Sequence, residues 1–268
     1  MSRFEILCVT MNQADFSKIH SMNIHSDVVF ANQTNKTNFE ILSFDGHVAK
    51  MISTETCGVG VNRNLSLIYA SADICLFADD DIKYKDDVER IVLSEFDSHP
   101  DADVFIFNLE SVGTRTLKVR KKTQKCSKIL KKMAGGAQIA FRLSSVRKAN
   151  LWFTTLFGGG CVFPCGEDGK WLFDAYEKKL NVYVSKEYIG TVSFETSSWF
   201  KGFDERYYYG FGAFYKDSHP KTLILWMLYF ALRTWKKSKI SLKNRLLWMW
   251  NGQKGYNKLQ SYEDFIKD

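Results

Sequence analysis

An apolar run that ends in three consecutive carboxylates constrains the fold of this 268-residue chain more than any other feature. The run is Ile74–Ala78, and Asp79, Asp80 and Asp81 follow it directly. A short apolar run is typical of a buried strand, and three like charges are costly to bury unpaired. Hard divalent cations bind carboxylate oxygens and commonly accompany a diphosphate. The stretch therefore predicts a strand that delivers carboxylates to a cation, with an acidic turn that caps the next helix through Asp81 as the alternative.

The residues before this run alternate between strand and helix patterns. Phe4–Thr10 and Asp27–Ala31 are apolar and rich in β-branched residues, which predicts strands, and Val61–Ala72 has helical periodicity. Strand, helix and strand in this order indicate a parallel sheet, in which ligands bind at the carboxyl ends of the strands. Asn12, Asn32 and the three aspartates all fall at such ends. The sequence contains neither a complete dinucleotide fingerprint nor a P-loop.

The positive charge of the chain is unevenly distributed. Of 37 Lys+Arg and 30 Asp+Glu, residues 1–110 hold 8 basic and 18 acidic ones, so the remainder is strongly basic. Ser111–Asn150 contains twelve Lys or Arg and no acid. A solvated surface is one interpretation, and contact with an anionic membrane or a diphosphate-bearing substrate is another. No nucleic-acid-binding module accompanies the basic residues, so we expect no nucleic-acid partner.

The C-terminal part combines apolar, basic and aromatic residues. Leu223–Leu232 is an apolar run of ten, too short to span a bilayer, and cations interleaved with Trp235, Trp248 and Trp250 follow it. This mixture is typical of helices at a membrane interface, and ordinary core packing of the aromatics is the alternative. The six cysteines form no CxxC pair, and the first residues lack a signal-peptide pattern. We therefore expect a reduced, cytoplasmic protein that is peripheral on the inner face of the membrane.

Five motifs occur in a characteristic order along the chain. They are TxN at Thr10–Asn12, GxxxxRN at Gly58–Asn64, FADDDIxY at Phe77–Tyr84, GED at Gly166–Asp168 and SxWFKG at Ser197–Gly202. In this order and spacing they resemble the family 2 glycosyltransferases of the GT-A fold, in particular bacterial enzymes that build surface polysaccharides. The resemblance extends to about residue 216. It implies an α/β fold with a mixed, mainly parallel central sheet flanked by helices, followed by a helical C-terminal tail.

The resemblance implies a donor site at the strand ends. The residues that would contact the nucleotide sugar are Thr10, Asn12, Asn32, Arg63, Asp79 and Asp80. Asp79 and Asp81 would hold Mn²⁺ or Mg²⁺. The family often carries an acidic pair after the second strand to hold the uracil, whereas this chain has Asn32 and Gln33 there. An amide can still hydrogen-bond a base, and a UDP-linked sugar is the donor that the resemblance implies.

The resemblance also implies where the catalytic base lies. Asp168, the last residue of the GED motif, matches the general base, and Glu167 is the neighbouring candidate. Capping of a helix N-terminus is the alternative explanation for Asp168. Trp199, Lys201 and Gly202 match a loop that closes near donor and acceptor. A base opposite the leaving diphosphate would produce in-line attack and inversion at the anomeric carbon.

Together these features predict an inverting glycosyltransferase of the hexosyltransferase type. It would move a sugar from a nucleotide diphosphate sugar to a hydroxyl of a growing surface polysaccharide, with a lipid-linked acceptor as one form. Residues 1–110 would bind the donor, 111–220 would bind the acceptor and supply the base in the same domain, and 221–268 would form a basic aromatic tail on the anionic inner leaflet. The alternatives are a metal-dependent nucleotidyl- or phosphotransferase and a non-catalytic basic protein that binds membranes or nucleic acid.

Overall fold

A computed structural model describes residues 2–113, 116–126, 133–193 and 202–267. The chain divides into two compact units. Unit 1 consists of Met1–Cys57, Val61–Phe153 and Trp171–Ser197, and unit 2 consists of Gly58–Gly60, Thr154–Lys170 and Ser198–Asp268. The predicted boundaries at residues 110 and 220 stay predictions. In the described residues, no helix is both long and apolar enough to cross a membrane.

Unit 1 is built on a sheet of ten strands, counted over the described residues. In chain order they are β1 Phe4–Met11, β2 Asp27–Gln33, β3 Asn38–Phe44, β4 His47–Thr54, β5 Ile74–Asp79, β6 Ile82–Tyr84, β7 Val104–Val112, β8 Gln124–Lys125, β9 Ile139–Arg142 and β10 Val182–Ser193. They lie in the order β3-β4-β2-β1-β5-β9-β7-β10-β6, with β8 beside β10. Strands β4, β2, β1 and β5 are mutually parallel, as are β7 and β10, and the other neighbours are antiparallel. The expected mixed sheet is confirmed, and the chain order reverses between β1 and β5.

Nine α-helices occur in the described residues. They are α1 Lys18–Ser21, α2 Val59–Tyr69, α3 Val88–Ser98, α4 Leu143–Lys148, α5 Glu167–Glu177, α6 Glu205–Ser218, α7 Leu223–Arg233, α8 Leu242–Lys258 and α9 Tyr262–Phe265. Helix α5 begins at Glu167, so the GED acids lie in its first turn. The helical tail is confirmed.

Both faces of the sheet are buried at its central strands. Alternate residues point to opposite sides, so Ile6 and Phe30 lie in one apolar cluster whereas Leu7 and Phe77 lie in the other. Helix α3 packs on the first face, and α2, α4 and the part of α5 from Trp171 pack on the second. Burial on both sides explains why the strands read as continuous apolar runs and not as an alternating pattern.

Unit 2 is held together by a close helix crossing. A Cβ at Gly212 of α6 would lie 1.9 Å from the carbonyl oxygen of Met249, and one at Gly252 of α8 would lie 1.9 Å from that of Tyr209. No side chain fits between the two backbones at this crossing. Aromatic residues, including Tyr208 and Phe230, fill the space around it.

Candidate functional site

The register of unit 1 brings polar residues together at one edge of the sheet. Thr10 on β1 pairs with Asn32 on β2, and Val9 on β1 pairs with Asp79 on β5. These are the carboxyl ends of three parallel strands, at the point where the strand order reverses. Open α/β sheets bind their ligands at such a point.

Asp80 is held in place by two donors. The hydroxyl of Thr10 donates to Oδ2 of Asp80 at 2.5 Å. Nζ of Lys18 donates to the backbone oxygen of Asp80 at 3.0 Å and lies 3.6 Å from its Oδ2. The turn between β5 and β6 is therefore fixed from the side of β1 and α1.

The carboxylate of Asp81 is in an unfavourable electrostatic environment. Although the residue is exposed at the surface, partial removal of its carboxyl from water and then repulsion by Asp79 and Asp80 raise its pKa to about 6. A cation at this position would relieve that repulsion. The alternative in which Asp81 caps the next helix is wrong, because α3 begins at Val88 and Asp87 precedes it.

Arg63 of α2 holds the first carboxylate from inside the protein. Its side chain is only 3% exposed, and Nη2 donates to Oδ1 of Asp79 at 2.8 Å. The guanidinium lies 5.2 Å from the ring of Phe153, and Gly136 packs so closely that a Cβ there would lie 1.8 Å from Nη1. Charge and close packing both fix the direction in which Asp79 points.

Asn32 and Asn12 shape the loop after β1. The buried Asn32 amide accepts a hydrogen bond from the backbone N–H of Gln13 at 3.0 Å and donates to the Gln13 oxygen at 2.9 Å and to Ser53 at 3.0 Å. Asn12 adopts a left-handed conformation with φ of 54°. Its side chain is exposed, and its N–H donates to the Gln33 oxygen. Direct contact of Asn32 with a base stays a prediction, and in the structure its amide positions residue 13.

In unit 2, Glu167 and Asp168 lie in the first turn of α5. A helix N-terminus stabilises carboxylates, so this position is compatible both with a base and with the simpler helix-terminus explanation. Gly158 has a φ of 108°, and a Cβ there would lie 2.9 Å from the carboxyl carbon of Glu167. Cys165 is no nucleophile, because burial and then the charge of Glu167 raise the pKa of its thiol far above the ordinary value.

The predicted closing loop is described only at its end. Trp199 and Lys201 lie outside the described residues. Gly202 has a φ of 113°, and a Cβ there would meet nothing within 4 Å. Glycine at position 202 is therefore explained by the backbone conformation and not by crowding from neighbouring atoms.

The carboxylates at the end of β5 fit one mode of metal binding. In the described part of the chain, no three His, Cys, Asp or Glu side chains form a ready metal cage. Magnesium, however, is usually bound by one or two carboxylates together with substrate phosphates. Asp79 and Asp81 supply such a donor set, and repulsion from Asp79 and Asp80 is, after burial, a cause of the raised pKa of Asp81.

The sequence matches no protein-family model and no curated protein. Solved structures do resemble it. The structure of S. aureus TarS 1–349 with UDP-GlcNAc aligns over 97% of this chain and 93% of its own, at 12% identity and a TM-score of 0.60. TarS 1–349 with UDP aligns over 92% and 78%, at 15% identity and a TM-score of 0.59. This chain has the GT-A-like glycosyltransferase fold.

A further TarS structure aligns over 91% of this chain but only 42% of its own, at 15% identity and a TM-score of 0.55. The chain thus spans less than half of that TarS chain. Likeness at this level of identity shows the fold, and the activity has to be argued from the site.

Proposed function

We propose that this protein is a glycosyltransferase that uses a nucleotide diphosphate sugar, with UDP as the nucleotide. The observation that carries the proposal is the cluster at the switch point of the sheet, where Thr10, Lys18 and Arg63 orient the carboxylates of the DDD turn. The TarS structures with the same fold contain UDP-GlcNAc and UDP, which supports a donor of this class.

The donor would lie against the ends of β1, β2 and β5. Asp80, which Thr10 and Lys18 hold in place, would accept hydrogen bonds from the ribose. Asp79 and Asp81 would hold Mn²⁺ or Mg²⁺, which supplies positive charge to the diphosphate as it leaves. Arg63 holds the Asp79 carboxylate in place through the 2.8 Å hydrogen bond from its Nη2 to Oδ1 of Asp79.

The acceptor hydroxyl needs a base, and we assign that role to Asp168. Its position in the first turn of α5 favours the ionised carboxylate, which is the form that takes a proton. Transfer would then invert the anomeric carbon. The proposed acceptor is a hydroxyl of a growing surface polysaccharide, and a lipid-linked acceptor is the form that the family resemblance favours.

The experiment is to incubate the protein with Mn²⁺ and a panel of UDP-sugars, with and without polysaccharide acceptors, and to identify the nucleotide product. We expect release of UDP together with transferred or free sugar. We also expect a β-configured product from an α-linked donor. Release of UMP, with the sugar phosphate transferred or free, would contradict the proposal and would indicate the phosphotransferase alternative.

A further inference from the structure

Helix α7 presents a wide apolar surface to solvent. Within the helix, Met227, Phe230 and Ala231 are buried. The large apolar side chains that stay exposed are Ile224, Leu225, Trp226, Leu228, Tyr229 and Leu232. Surface helices normally expose polar residues on their outer face, and contiguous apolar patches usually mark an interaction site. Core packing therefore explains only one side of this helix.

Cations border the apolar surface at both ends. Lys221 lies in the 3₁₀ turn just before α7. At the other end, the exposed cations are Arg233, the last residue of the helix, and Lys236, Lys237 and Lys239, which follow it. Residues 218–262 contain no Asp or Glu. The Arg233 guanidinium lies over the ring of Tyr229, 5.9 Å from its centroid, so this cation is next to an exposed aromatic side chain of the helix.

The helix is anchored from inside unit 2. Arg245 of α8 is only 4% exposed and donates to the backbone oxygens of Ala231 at 2.9 Å and Ile240 at 2.7 Å. The hydroxyl of Tyr208 donates to that of Thr234 at 2.8 Å. These bonds fix the C-terminal end of α7, so the helix cannot rotate its apolar face inward without breaking them.

We propose that α7 lies in the interface of an anionic lipid bilayer, with its apolar face at the acyl boundary and its cations at the lipid phosphates. Its eleven residues span about 16 Å, roughly half the thickness of a hydrocarbon core, so the helix lies flat. Tryptophan and tyrosine beside aliphatic residues suit this depth.

A second copy of the chain is a poorer occupant of this surface. A two-fold contact between α7 helices would place the cations of one copy against those of the other. The segment offers no acid to pair with them. The lipid inference does not depend on the transferase assignment.

The test uses the full-length protein in co-sedimentation with phosphatidylcholine vesicles, with and without phosphatidylglycerol. Wild type should bind only the anionic vesicles and should bind less as salt rises. Ile224→Glu/Leu225→Glu should weaken binding by at least about tenfold, because two inserted aliphatic side chains are replaced by anions. The matched control is Ile41→Glu/Ile68→Glu, since the four residues are 61%, 67%, 62% and 60% exposed, respectively. The control should bind like wild type.

A second pair of substitutions removes two cations and leaves the apolar face unchanged. Lys236→Gln/Lys237→Gln should reduce binding and flatten its salt dependence, whereas Lys36→Gln/Lys178→Gln at other exposed positions should not. The inference is overturned if wild type does not bind anionic vesicles at low salt. It is also overturned if the test and control variants lose vesicle binding to the same extent. A dimer in sedimentation that Ile224→Glu/Leu225→Glu dissolves overturns it as well. The vesicle assay contains no donor sugar, so its failure is separate from any failure of transfer activity.

Discussion

Substitution of Gly136 by alanine should disturb the site without altering any residue proposed to touch the donor. A Cβ at this position would lie 1.8 Å from Nη1, 2.4 Å from Cζ and 2.6 Å from Nη2 of Arg63. Unstrained contacts are near 3.5 Å, so the guanidinium would have to move by roughly 1.5 Å. Its 2.8 Å bond to Asp79 would then be lost.

The cost follows from two contributions. Overpacking of a buried side chain costs about 1–3 kcal/mol. Loss of the ion pair adds about 1 kcal/mol, at the low end because the Asp79 side chain is 44% exposed and screened by water. We expect Gly136→Ala to lower the free energy of unfolding by about 2–4 kcal/mol. Gly136 does not have a positive φ, so the backbone itself accepts alanine.

A double-mutant cycle separates this explanation from a general loss of stability. In an Arg63→Ala background the clashing atoms are absent, and Gly136→Ala should be neutral or slightly stabilising. Urea unfolding of wild type, the two single variants and the double variant should give a coupling free energy of about 2–4 kcal/mol. Additive costs, with coupling below about 0.5 kcal/mol, would refute the account of how Arg63 is held.

Three further predictions concern the carboxylates and their partners. Without metal, the pKa of Asp81 is raised from 3.8 to about 6, so the free energy of unfolding of wild type should fall as pH rises through that interval. Asp81→Asn should therefore be about 1 kcal/mol more stable than wild type near pH 7, after a discount for solvent screening, and equally stable below about pH 4. Urea unfolding in the absence of metal measures both differences. Asp168→Asn should keep donor binding but lower turnover by roughly 10²–10⁴-fold, and loss of transfer in Glu167→Gln alone would move the base by one residue. Lys18→Met should weaken UDP-sugar binding in calorimetry by releasing Asp80, whereas equal weakening by the exposed Lys178→Met would contradict that role.

The sequence predicts the central strands well but not the long strand β10. Strands β1, β2 and β5 are buried on both faces, so their apolar runs are continuous and easy to recognise. In β10 the polar residues from Ser185 suggest a break into two strands, yet the strand continues through two register shifts against β7. Ser185 donates to Glu95 at 2.7 Å and Asn108 donates to the Lys186 oxygen at 2.9 Å. These long-range partners satisfy polar groups that local pattern analysis assigns to a loop.

The same limit applies to the candidate site. The DDD turn and Arg63 belong to local motifs, so the sequence identifies them. Lys18, Gly136 and Phe153 have no such motif, because they reach the site only through the chain topology. The pair Gly135-Gly136 just before a strand was the one local signal, and it does not by itself indicate close contact with an arginine.

The central claim is that the DDD turn binds a nucleotide diphosphate sugar with a divalent metal. A thermal-shift panel of nucleotide sugars, with and without Mn²⁺, tests it most directly on wild type and Asp81→Asn. A ligand at a hundred times its Kd stabilises the folded state by about 2.7 kcal/mol, which such a scan resolves. We predict that at least one UDP-sugar stabilises wild type only when Mn²⁺ is present, and that Asp81→Asn abolishes the shift. A wild type that no nucleotide sugar stabilises, or a shift that survives Asp81→Asn unchanged, would contradict the claim.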